Sequence, residues 1–530
     1  MAFVTLPFIA FITLTALLYF TVPKKGQWIV LLVASYVFFW LNSQFLILAL
    51  MAATAATFYI GQWIGREIQR GKEALKSRPD LTQAEKKQFR AQTKKKTKRI
   101  LVLGILLDLS LLVGLKYADL FSTGANLVLS HFGYNFPRLR FLLPIGISFY
   151  TLQAISYLVD IYRGKVEPDR NLAKFMLFMS YFPQIVQGPI PRYKQLAQQL
   201  YDSHPFDYQR VTFGIQLMLW GFFKKLVIAD RMGIAVKYIF GNIPQFHGLM
   251  ALAGAAFYGI QLYGDFSGGI DIARGLSQVF GIELADNFKQ PYFSRSIEEF
   301  WRRWHISLGE WMKDYIFYPL SLSKPFLNLS KKTRKVFGEY FGKRLPSFLA
   351  TFIVFVLVGV WHGPQLKYFA YGIINGGIIV SGFLLEKVYA RIKKAARIEE
   401  TSLGWRVFQM VRTFVVISFA RMFDRGDGIR LAVKMLTSVF RKWWDLSFLV
   451  DGTLTKTGLV TADWVLLIFA VTLVWAVDLL HEKNVSIREG IARQHIVLRW
   501  LIYYGAIFII LIFGVWGPAY SKAGFMYEQF

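Results

Sequence analysis

The chain has no cysteine, which excludes disulfides, thiolate catalysis and cysteine-based metal or iron–sulfur sites. Acidic residues are scarce as well, at 33 Asp and Glu against 62 Lys and Arg, for a formal net charge of +29. No Walker loop, Rossmann glycine pattern or Gly-x-Ser-x-Gly elbow is present, which argues against an ATP-driven pump and against a serine hydrolase. No metal motif stands out, because His305 and His362 are far apart and neither has a carboxylate at ligand spacing beside it. A basic n-region and a small-x-small cleavage site are missing from the start, so MAFVTLPFIAFITLTALLYF reads as a first span rather than a signal peptide.

What the chain does have is apolar length. Of its 530 residues, 55% are hydrophobic, and the mean hydropathy is +0.38. Many apolar runs are about 16–22 residues long, enough to cross a bilayer as helices. The expectation is an all-α polytopic membrane protein of about 11–12 transmembrane helices with added re-entrant or interfacial helices. The basic charge lies mostly between the apolar runs, as the positive-inside rule and anionic headgroups require. Membrane lipids rather than nucleic acid are therefore the expected partners, and a basic cytosolic mouth also suits an anionic substrate. With three spans ahead of the Arg66–Arg99 stretch and its KKKTKR, a cytosolic placement of that stretch puts the N-terminus outside and Lys24 and Lys25 inside. No short-period repeat and no soluble domain is visible. The chain reads as one membrane domain, 1–530, with N-terminal spans over 1–137, a core over 138–385 and C-terminal spans over 386–530.

Three stretches depart from plain spans. FMLFMSYFPQIVQGPIPRY (175–193) is apolar and then broken at Pro183, Gly188, Pro189 and Pro191. Broken backbone at membrane depth is tolerated only inside protein or around a cavity, so a bend in a protein-lined site is expected there. QLYGDFSGGIDIARG carries Asp265, Asp271 and Arg274 at the edge of an apolar run, with an Asp271–Arg274 pair at i,i+3 as the plain structural explanation.

The third stretch, FWRRWHISLGEWMKDYIFYP (300–319), organises the rest. Wound as one helix, it collects Phe300, Trp301, Trp304, Leu308, Trp311, Met312 and Tyr315 on one side, and Glu298–Arg302 and Glu299–Arg303 become i,i+4 pairs. His305 falls within the apolar arc, where a titratable ring needs a partner or a task. His362 closes the apolar run Thr351–Trp361 and is followed by Gly363 and Pro364, which stop the helix. Both histidines directly follow a tryptophan. The other five, His131, His204, His247, His481 and His495, lie in or beside loops and read as solvated.

FWRRWHISLGEWMKDYIFYPL followed by VGVWHGPQLKYFAYGIING resembles the membrane-bound O-acyltransferase superfamily, as do SFYTLQAISYLVDIYRG, YFPQIVQGPIPRY and QLYGDFSGGIDIARG. The branch it resembles is bacterial and includes alginate, peptidoglycan and teichoic-acid acylation proteins. The likeness is good over about 140–380, and the C-terminal GFMYEQF is similar in style. It implies a helical bundle around a central two-sided tunnel, with His362 matching the near-invariant histidine of the family and His305 the second signature histidine. His362 would then be the general base and His305 would orient the acyl carbonyl or acceptor. Trp304 and Trp361 would shape the tunnel, and Asp314, Tyr263, Asp265, Asn287 and Asn375 become further substrate-side candidates. Asn375-Gly376 stands where relatives often have His-Gly. No bound cofactor is implied. The co-substrate is an acyl thioester, acetyl-CoA or an acyl-carrier protein, on the cytosolic face of the bacterial plasma membrane. The acceptor would be an outward-facing partner protein, SGNH-type or with a Tyr-bearing tail. D-alanyl transfer is the alternative within this reading, and a secondary transporter or flippase the alternative outside it.

Overall fold

The computed structural model describes residues 3–426, 428–515 and Phe525, so GFMYEQF apart from that phenylalanine lies outside the described residues. Among them the regular structure is helical, and the one β feature is an isolated antiparallel bridge between Phe288 and Trp304. The chain folds as two units, Met1–Ile215 with Ala273–Ala285, and Gln216–Ile272 with Asp286–Phe530.

The first unit contains α1 (Leu6–Thr21), α2 (Gln27–Ser43), α3 (Ile47–Lys76), α4 (Gln83–Lys116), α5 (Ala118–Leu129), α6 (Ile147–Tyr162), α7 (Leu172–Ser180), α8 (Phe182–Ile185) and α9 (Tyr193–Tyr201). The Arg66–Arg99 stretch, expected as a loop, is mostly helical: it forms the end of α3 and the start of α4. Lys and Arg are good helix formers, so loss of apolarity does not mean loss of helix. Glu67 accepts from Lys96 of α4 at 2.8 Å, tying the two helices together, and from Arg70 of its own helix at 3.2 Å. The proline-rich break behaves as expected. Helix stops after α8, and residues 181–191 are all buried in protein.

The second unit takes in parts of α10 (Tyr208–Phe222) and α12 (Gly248–Val279), and all of α11 (Asp230–Gly241). It then holds α13 (Ile297–Arg303), α14 (Ile306–Met312), α15 (Tyr318–Ser321), α16 (Lys324–His362), α17 (Leu366–Leu384), α18 (Glu386–Ala395), α19 (Leu403–Arg425), α20 (Ile429–Val439), α21 (Thr461–Glu482), α22 (Ile487–Ala492) and α23 (Ile496–Phe513). Among the described residues two π-helical segments interrupt the α pattern, Phe223–Ala229 and Lys313–Phe317. The basic stretch 321–346 is largely the first part of α16, which is broken at Gly338 (φ 71°). α17 packs against α16, α19 and α20, and α13 against α17 and α19.

Among the described residues, six runs are long and apolar enough to cross a membrane, or up to eight if two sharply bent helix pairs each count as one. The difference from the eleven or twelve spans read from sequence has local causes. Lys24–Lys76 counts as one run, although Gln44, with φ 44°, separates α2 from α3 inside it. α1 and α6 are only 16 residues each, and α6 is almost wholly buried. α12 is diluted by Asp265 and Asp271.

Candidate active site

The expected single helix over 300–319 breaks near its start, at Trp304 and His305. α13 begins at Ser296, whose hydroxyl accepts from the Glu299 amide at 3.1 Å. It carries the two expected ion pairs, Glu298–Arg302 at 3.7 Å and Glu299–Arg303 at 2.8 Å. It ends at Trp304, which is extended and bridges Phe288. His305 then adopts a left-handed conformation, φ 50° and ψ 52°, and α14 starts at Ile306. A non-glycine residue in that region is strained by roughly 1–2 kcal/mol and persists only where its surroundings hold it.

Asn287 supplies that hold. Its carbonyl accepts from the Ile306 amide at 3.0 Å. Its side-chain Oδ1 accepts from the Ser307 amide and hydroxyl, both at 2.9 Å, and lies 3.3 Å from Nδ1 of His305. Phe266 meets the imidazole edge to face at 4.8 Å between centroids. His305 is 3% exposed, and burial, with the nearby His362 second, holds its pKa well below the ordinary histidine range. It is therefore a neutral imidazole, able to accept or donate a hydrogen bond.

His362 is delivered by a different device. Gly359 of α16 and Gly372 of α17 let the two backbones touch: a Cβ on Gly359 would lie 2.3 Å from the Tyr368 carbonyl oxygen, and one on Gly372 2.6 Å from that of Phe355. His362 sits three residues beyond Gly359, 8% exposed, with Tyr368 and Tyr371 of α17 each 6.3 Å from its ring. The Trp361 ring lies 6.2 Å from that of His305 and 5.1 Å from that of His362. The other five histidines are exposed or half-buried.

His305 and His362 line one cavity of about 530 Å³. Trp304, Trp301, Phe355 and Tyr371 supply aromatic wall, while Arg302, Lys313, Glu298 and Glu310 add charge. Of the other sequence candidates, Trp361 packs near both imidazoles but is not among the cavity-lining residues, and Asn287 braces the His305 turn. Tyr263 packs near Trp304 at 6.2 Å and donates to Asp478 at 2.9 Å. Asn375 is buried on α17 and donates to the Tyr371 carbonyl. Asp314 lies in the second π segment, outside the cavity lining. Asp265 is a buried ion-pair partner of Lys225 at 2.6 Å, and Asp271 pairs with Lys224 at 2.7 Å, so both carboxylates have structural partners in the first π segment.

Sequence reasoning singled out no residue of α19. Its Asp424 lines the cavity and accepts from the Tyr258 hydroxyl at 2.6 Å. Arg421, one turn earlier, is fully buried against Trp304. The signal was present: two cations and a carboxylate close the apolar run ISFARMFDR, and ionisable groups at such a position are costly unless used.

These features define a multi-pass, all-α membrane protein with two buried imidazoles on one cavity. Residues 168–338 match the profile of MBOAT, the membrane-bound O-acyltransferase family. Over 448 residues the chain is 32% identical to "Probable alginate O-acetylase AlgI" of Pseudomonas syringae pv. tomato, covering 84% of this chain and 76% of that one. It is 30% identical over 363 residues to the peptidoglycan O-acetyltransferase of Helicobacter pylori, covering 63% of each chain. It is 29% identical over 266 residues to the teichoic acid D-alanyltransferase of Bacillus subtilis, covering 49% of this chain and 64% of that one. The chain belongs to the membrane-bound O-acyltransferase family and is an acyltransferase of the branch that modifies polysaccharides and cell-wall polymers.

Proposed function

We propose that the protein moves an acetyl group from acetyl-CoA, bound from the cytosolic side of the bacterial plasma membrane, to a hydroxyl acceptor destined for an extracytoplasmic polysaccharide or cell-wall polymer. The observation that carries this reading is that His305 and His362, from two separate stretches of an acyltransferase chain, line the same largely apolar cavity. His362 takes the proton of the acceptor hydroxyl as its oxygen attacks the thioester carbonyl. The carbon–sulfur bond then breaks, and the imidazolium returns the proton to the departing thiolate. His305, neutral and fixed on its turn, orients the acyl carbonyl or acceptor, and the aromatic wall limits water that would hydrolyse the thioester. The immediate acceptor is an outward-facing partner protein, SGNH-type or with a Tyr-bearing tail. The working core is residues 138–385 with α19 added.

Acetyl is preferred to D-alanyl because the likeness to the alginate acetylase extends over 84% of the chain, against 49% for the teichoic-acid relative. The test is radiolabelled acetyl-CoA supplied to membranes carrying the full chain and its acceptor system. His362→Ala lowers label incorporation by at least about a hundredfold, and His305→Ala causes a large loss with residual turnover. Normal incorporation by His362→Ala removes the base assignment. Incorporation only from a D-alanyl carrier thioester overturns the acetyl reading.

A further inference from the structure

Arg421 is the largest side chain among the most deeply buried residues, at 2% exposure, and it is a cation. Among the described residues no carboxylate comes within ion-pair distance of it. Its guanidinium instead lies over aromatic faces, 4.3 Å from the Trp304 ring centroid, 5.4 Å from Phe300 and 5.7 Å from Tyr292. Nη1 donates to the Tyr292 hydroxyl at 2.6 Å and reaches the Gly259 carbonyl at 3.4 Å. Tyr292 in turn donates to that same carbonyl at 2.5 Å. Gly259 leaves room for this arrangement: a Cβ there would lie 3.1 Å from Nη1 and crowd the guanidinium.

A fully desolvated cation held by π faces and a phenol is costly to build, and an apolar side chain of similar volume would pack there more cheaply. The position explains it. Trp304 is the residue immediately before His305, and its ring is packed on Phe288 at 4.9 Å and Phe300 at 5.5 Å. Asn287 holds the far side of the left-handed turn, through Ile306 and Ser307. Arg421 holds the near side, through Trp304. We propose that Arg421 is a positioning residue of the site: its guanidinium, clamped between Tyr292 and Trp304, fixes the turn that presents His305 to the cavity.

The proposal rests on the reading of His305 given above, and the experiment separates the two. Membranes carrying the full chain and its acceptor system are assayed with radiolabelled acetyl-CoA for wild type, R421M, R421K, H305A and H305A/R421M. The reactivity of His305 toward diethylpyrocarbonate is followed by peptide mass spectrometry in wild type, R421M and R421K. R421M is expected to lower kcat by about ten- to a hundredfold at nearly unchanged KM for acetyl-CoA. R421K, which keeps a cation on the ring but loses the planar fork, recovers part of it. H305A/R421M is expected to be no slower than H305A alone. In R421M the modification of His305 accelerates while that of His204, in the other unit, does not. A normal kcat in R421M, losses that multiply in the double variant, or an unchanged His305 modification rate each overturn the proposal. A normal rate in H305A alone, with His305 modification still accelerated by R421M, overturns instead the functional reading of His305.

Discussion

At the scale of single residues, the two histidines were legible because polarity was out of place: each follows a tryptophan, His305 on the apolar arc of an amphipathic stretch and His362 at the end of an apolar run. What held them was not legible. Asn287 acts on His305 and Ser307, 18 and 20 residues further along the chain, through hydrogen bonds of 2.9–3.3 Å, which no periodicity reports. Asn287→Leu therefore removes the acceptor that the buried Ser307 amide and hydroxyl share. It is expected to destabilise the detergent-solubilised protein by about 2 kcal/mol and to reduce transfer, whereas Asn287→Asp keeps an acceptor in place and costs less. Thermal unfolding read alongside label incorporation checks both. His305 offers a cleaner separation of chemistry from conformation. Asn enters the left-handed region more readily than Ala. His305→Asn is thus expected to be as inactive as His305→Ala yet more stable by up to about 1 kcal/mol. Equal unfolding midpoints for the two variants would mean that the φ of 50° carries little strain.

At the scale of elements, apolar pattern located the spans and the proline-rich break but misjudged where helices end. Residues 300–315 keep their amphipathic period straight through Trp304 and His305, so the sequence reads as one helix. The break comes from tertiary partners, Phe288 at the bridge and Asn287 at the turn. The basic stretch 66–99 errs the other way: it looks like a loop because it loses apolarity, while Lys and Arg keep it mostly helical. The α16–α17 seam is a third case, since its glycines are ordinary in sequence and decisive in contact. Gly359→Ala forces a backbone shift three residues before His362, and is expected to cost about 1–3 kcal/mol and much of the activity. Gly377→Ala, exposed on the same α17 with no atom within 4 Å of the added Cβ, is expected to be neutral or to stabilise by up to about 1 kcal/mol. Equal unfolding midpoints for the two alanine variants would show that the seam tolerates a methyl and that His362 is placed by something else.

At the scale of the whole molecule, the charge imbalance makes a claim about direction. A net +29 spread between apolar runs orients a multi-pass protein, and the stretch ending in KKKTKR is its densest anchor. If that stretch is cytosolic, the proposed donor enters from the same side, since a thioester of CoA carries several phosphate charges and does not cross lipid unaided. Sealed vesicles of the two orientations test this directly. Inverted vesicles given external radiolabelled acetyl-CoA are expected to incorporate label at least about tenfold faster than right-side-out vesicles, and permeabilising the latter is expected to remove the difference. A reporter inserted in the α3–α4 turn at Arg78–Asp80 gives an independent reading, because a fluorescent protein there matures only on the cytosolic side. Labelling confined to right-side-out vesicles, together with a cytosolic reporter, would separate the basic anchor from the donor entrance. The thioester would then have to be presented from outside, and the direction of acyl flow proposed for the paired histidines would be reversed.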